Sequence, residues 1–70
     1  MTPANDNQAD LLARVSELAI AANSMAVMCE TLLHTRRVTP LDGENLRFMM
    51  QETIKLFLAV ELGCAPDNRS

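Results

Sequence analysis

Tryptophan and tyrosine are absent from the 70 residues, and Phe48 and Phe57 are the only aromatics. That leaves no stacking platform for single-stranded bases and no aromatic belt for a bilayer interface. Two cysteines, Cys29 and Cys64, are too few for a disulfide-dense secreted scaffold, and with one histidine they offer zinc no closed ligand set. No glycine-rich loop precedes a helix, no serine or cysteine has a histidine set beside it by spacing, and the carboxylates are spread along solvent faces. Catalysis, a metal and a cofactor are therefore not expected. Six basic residues scattered through a chain of net charge −3 argue against a nucleic-acid or anionic-membrane surface. Leu18 to Cys29 is an uncharged run of twelve residues, but it holds Asn23 and Ser24 and is too short to span a bilayer. It also lacks the basic flank of a signal peptide. The expected setting is cytoplasmic, with reduced thiols.

What is present is helical periodicity. Apolar residues recur at Leu11, Val15, Leu18, Ala22, Met25, Cys29 and Leu32, alternating steps of four and three, with a second row at Leu12, Ala19, Ala26 and Leu33. The first helix is expected over about 8–35, capped by Asn7 and with Asp10 at the positive end of its dipole. Residues 1–7, polar and carrying Pro3, read as a flexible leader. Asp10, Arg14, Glu17, Ser24, Glu30 and Thr31 fill the polar surface of this helix. His34, Arg36 and Arg37 close it with cations, and a turn follows at 36–39.

Thr39-Pro40-Leu41-Asp42 is a start signal: a cap, proline at the first helical position, and an acid three residues after the cap. The second helix, about 40–62, sets Leu46, Met49, Met50, Thr53, Leu56, Phe57, Val60 and Cys64 within one face. Gly63 is expected to end it as a left-handed cap, with Pro66 beyond. Residues 64–70 read as a polar tail. The fold class is thus all-α: an antiparallel two-helix hairpin over 8–63. A chain this short secures too little core alone, so two hairpins are expected to pair into a four-helix bundle. The expected self-association residues are Leu11, Val15, Leu18, Ala22, Met25, Cys29, Leu32, Met49, Met50, Leu56, Phe57 and Val60.

Four apolar residues fall outside those faces. Ile20 and Val27 lie seven apart on the far side of the first helix, and Leu58 and Leu62 stand among Lys55 and Glu61 on the second. They are either isolated surface aliphatics or a surface for a partner protein. His34, Arg36, Arg37 and Arg47 form a candidate basic tip at the bend, or else complement the dipole and pair with Asp42 and Glu44. In an antiparallel hairpin Cys29 and Cys64 are about 25 Å apart along the axis and cannot bridge within one chain. Both read as inert, with Cys64 placed to link protomers under oxidation. By elimination the function expected is a small protein-binding regulator: an inhibitor, adaptor or regulatory subunit. The alternatives are a nucleic-acid regulator of helical-hairpin dimer type using the basic bend, and a structural piece of a larger assembly.

Overall fold

The structure, a computed structural model, describes the backbone of residues 3–64 and the side chains of 8–64. Two helices, α1 (Pro3–Thr35) and α2 (Pro40–Cys64), pack side by side as an antiparallel hairpin. Helix α1 starts at Pro3, ahead of the expected leader boundary, so Asn7 lies inside it rather than capping it. Proline is pre-organised for a first helical turn, and nothing from Ala4 to Asp10 interrupts the helix once begun. The remainder of the expected leader and residues 65–70 of the expected tail lie outside the described residues.

The bend is built as the sequence signals. Thr39 and Asp42 form a reciprocal box: the Thr39 backbone N–H and Oγ1 each donate to Asp42 Oδ2 at 2.9 Å, and the Asp42 N–H donates to Thr39 Oγ1 at 3.2 Å. The first turn closes with the Gly43 N–H on the Thr39 carbonyl at 3.1 Å, so α2 is regular from Pro40 despite the glycine. Helix α1 ends differently. The Arg36 N–H donates to the Leu32 carbonyl at 2.8 Å, with Arg36 at φ 60°. This is the left-handed terminus usually given to glycine, occupied here by a long charged residue.

The helices meet along one seam. Leu11, Arg14, Leu18, Ala21, Met25, Met28 and Leu32 of α1 are half-buried, as are Thr39, just before α2, and Asp42, Leu46, Met49, Thr53, Leu56 and Val60 of α2, where the two helices pack. Both rows step by three and four, the signature of left-handed knobs-into-holes packing. The expected α1 seam is corrected in three of its seven members. Leu11, Leu18, Met25 and Leu32 hold, but Arg14, Ala21 and Met28 take the positions expected for Val15, Ala22 and Cys29, which stay exposed. On α2, Met50 and Phe57 likewise remain exposed. A central row of leucines has a neighbour on either side, and one partner helix can cover only one of them.

Arg14 is also corrected from surface to seam. Its Nη1 donates to the Ala59 carbonyl at 2.8 Å while Nη2 pairs with Asp10 at 2.8 Å, so the guanidinium clamps α1 to α2 with its charge balanced from the same helix. Gly63 makes the room. It has no positive φ and lies inside α2, not at a left-handed cap; a Cβ there would stand 2.9 Å from Leu11 Cδ1 and 3.4 Å from Arg14 Nη1. Its bareness serves close approach of the helices.

Two measurements check this account of the bend. The Thr39 donors hold the Asp42 carboxyl below its ordinary value of 3.8. A depressed carboxylate contributes stability above the unfolded value and loses it as pH falls through the folded one. Asp42→Asn is expected to lower the melting temperature at about pH 6, with the difference from wild type shrinking below about pH 4. A pH-independent difference would refute the ionic box. Arg36→Gly is expected to raise stability by about 1 kcal/mol, the left-handed penalty less glycine's larger unfolded-state entropy. Denaturant melts at fixed protein concentration read it, and a loss of stability would mean the Arg36 side chain makes compensating contacts.

Candidate functional site

No residue of the described chain is fully buried. Two helices leave each other half wet, and what matters is how the exposed apolar residues are arranged. On α1 each residue following a seam position is small or apolar: Leu12, Val15, Ala19, Ala22, Ala26, Cys29 and Leu33. On α2 the same rule selects Gly43, Arg47, Met50, Ile54, Phe57 and Glu61. At 100° per residue, and with the helices antiparallel, both sets turn toward the same broad side of the hairpin. The hairpin therefore has one apolar flank, with Val15, Met50, Ile54 and Phe57 all between 42% and 49% exposed. Its other broad side carries Asp10, Glu17, Ser24 and Thr31 on α1 and Asn45, Glu52 and Lys55 on α2, together with the apolar Ala13, Ile20 and Val27 on α1 and Leu41 and Phe48 on α2.

The expected self-association residues thus divide. Leu11, Leu18, Met25, Leu32, Met49, Leu56 and Val60 are spent on the seam within the chain, while Val15, Ala22, Cys29, Met50 and Phe57 lie on the open flank. Ile54 belongs with them and was missed by face counting, because it sits one position to the side of the strongest row. Ile20, Val27, Leu58 and Leu62 are all exposed, Leu62 at 74%. They are not one patch. Ile20 and Val27 on α1, each one residue before a seam position, and Leu62, one residue before Gly63 on α2, lie on the broad side opposite the apolar flank, whereas Leu58 lies along the outer edge of α2.

At the bend, an open groove of about 540 Å³ is lined by Cys29, Leu32, Leu33, Arg36, Arg37 and Val38. Its floor is apolar and its rim is basic. His34, Arg36 and Arg37 are exposed beside it, whereas Arg47 stands farther along α2 on the apolar flank. Among the described residues the ion pairs are Arg14–Asp10 and Lys55–Glu52, so the cations of the tip have no carboxylate partner there. The Asp42 carboxylate is engaged by Thr39 instead. Cys29 and Cys64 are exposed free thiols. No group of three metal-ligating side chains occurs among the described residues.

One further property concerns α1 as a whole. Gln8–Thr35 contains an 18-residue window of mean hydropathy 1.3, and by length and composition this helix is able to cross a membrane. The expectation drawn from the twelve uncharged residues alone understated its reach. Taken against known proteins, the chain matches no family model, no curated protein and no solved structure, and the residues themselves carry its functional reading.

Proposed function

We propose that this chain is a self-associating helical hairpin that pairs through its apolar flank into a four-helix bundle. In that form it acts by binding another protein, as a small inhibitor, adaptor or regulatory subunit. One observation carries the first half: the hairpin exposes 5835 Å², where a compact chain of its 7.7 kDa exposes about 4,300 Å². The radius of gyration, 16.4 Å, likewise exceeds the ~11 Å of a compact chain of this length. The surplus, about 1,500 Å², is what each partner in an extensive obligate homodimer covers. The flank carries Leu12, Val15, Leu33, Met50, Ile54, Phe57 and three alanines with Arg47 and Glu61 as its charged members, and a second copy supplies a surface of the same character.

The second half rests on what such a bundle leaves outside. Ile20, Val27, Leu58 and Leu62, off the flank, and the exposed cations His34, Arg36 and Arg37 of the bend remain available to a different protein, while Cys29 and Leu33 of the groove wall belong to the flank. A soluble bundle is favoured over a bilayer for α1 because Asp10, Arg14, Glu17 and Glu30 lie within the apolar helix and two of them engage α2 or each other.

Sedimentation equilibrium over a range of concentrations tests this reading. Wild type is expected at about twice the 7.7 kDa chain mass with high helicity. Phe57→Lys removes one buried phenyl from each copy and is expected to weaken the dimer about 100-fold or more. Ile20→Lys, on the broad side opposite the flank, leaves the mass unchanged. A fully helical monomer at every concentration, or a chain recovered only with detergent, refutes the bundle.

A further inference from the structure

Resting on the dimer reading, we propose that the second copy docks with its bend at the same end, laying α1 of each protomer over α2 of the other. The occupant of the flank is a second copy on grounds of area, as above; its direction follows from the shape of the flank. Along α1 the flank is shallow in the middle, at Ala19, Ala22 and Ala26, and taller at its ends, at Leu12 and Val15 and at Cys29 and Leu33. Helix α2 has the opposite relief. Phe57, Ile54 and Met50 stand out along its middle, with Glu61 toward the open end and Arg47 toward the bend, and beyond Arg47 the flank falls to Gly43, where an added Cβ would meet nothing within 4 Å.

The levels of these features are fixed by the seam. Arg14 lies opposite Ala59 and Leu11 opposite Gly63. Counting from those contacts, Phe57, Ile54 and Met50 stand level with residues 16–24 of α1, and Gly43 stands level with residues 30–31. A two-fold axis parallel to the helices keeps every level. It lays Phe57, Ile54 and Met50 over the alanine stretch of the other copy and brings the other copy's Leu33 and Cys29 over bare Gly43. Tall meets shallow along the middle and at the bend end on both halves of the interface at once, with Arg47 over Ala26, while at the open end Leu12 meets Glu61.

The alternative axis, across the helices, turns the bends to opposite ends. It stacks alanines on alanines along α1 and Phe57, Ile54 and Met50 on their own copies along α2, so the faces wedge apart and leave voids on the α1 side. Charge weakly prefers that alternative, since same-end docking brings both sets of His34, Arg36 and Arg37 to one end. Those cations are exposed, and beyond ~8 Å physiological salt screens them, whereas the packing is continuous over the flank. Shape decides. The product is a polarised bundle, with the two basic bends side by side at one end and the open ends of all four helices at the other.

Spin labels measure the direction outright. In a chain carrying Cys29→Ala and Cys64→Ala, nitroxides are attached at Val38→Cys and, in a separate protein, at Ala9→Cys. Double electron–electron resonance is then recorded on samples shown by sedimentation to be dimeric. Same-end docking places the two labels within about 25 Å at both sites, because neighbouring axes sit about 8–10 Å apart. Separations of about 40 Å or more at both sites, which the helix rise dictates for opposed bends, overturn the inference while leaving the dimer intact. A labelled chain and a wild type that both sediment as monomers overturn the dimer reading itself, and the docking direction with it.

Discussion

A helix packed against a single partner shields only about a third of its circumference, and that limit governs everything else in this hairpin. Leu11, Leu18, Met25 and Leu32 meet α2 and are only half covered, because no third element closes over them. The 13 Å thickness of the molecule is that of a single layer of helices. Additional stability must then come from local devices or from surface contributed by another molecule. The box at Thr39–Asp42 and the Arg14 clamp are the local devices, and neither replaces a core.

Those two devices work at opposite ends. At the bend, ionised Asp42 satisfies donors that the start of α2 would otherwise leave bare, and it fixes where the second helix begins. Near the chain ends, Arg14 reaches a carbonyl of α2 through space left by Gly63, and it sets how far the second helix slides along the first. Together they define register: one anchors the turn, the other anchors the open end of the hairpin, six residues from the start of α1's described side chains. Arg36 works against them. Its left-handed backbone stores strain at the junction between the two, at the rim of the groove.

The helices, their order and the capping box were legible in the sequence, because proline, threonine and aspartate at the bend have few other uses in that order. The choice of seam was not. Leu11, Leu18, Met25 and Leu32 are flanked by Val15, Ala22 and Cys29 on one side and by Arg14, Ala21 and Met28 on the other. Hydropathy prefers the first set, since arginine reads as solvent. Yet an arginine has a long apolar stem and a head that can bond a carbonyl, so it can sit in a seam that hydropathy would deny it. Gly63 misled for a related reason: its place near a helix end resembles a cap, and only the approach of Leu11 and Arg14 reveals its other use. Ile54 escaped notice because no single chain gives it a neighbour.

The same division explains why α1 is so apolar. Its hydropathy is high enough for a bilayer, yet its apolar residues fall in two adjoining stripes with different duties. One stripe meets α2 and tolerates Arg14 because that helix supplies an acceptor. The other, alanine-rich and without any charged member from Leu12 to Leu33, is left exposed by the hairpin. Total hydropathy does not distinguish protein neighbours from surrounding lipid, but the placement of the charges bears on it. A lipid-facing helix would have no use for a guanidinium already committed to the backbone beside it, whereas in the proposed dimer a helix shared between a hairpin partner and a second copy would use both stripes.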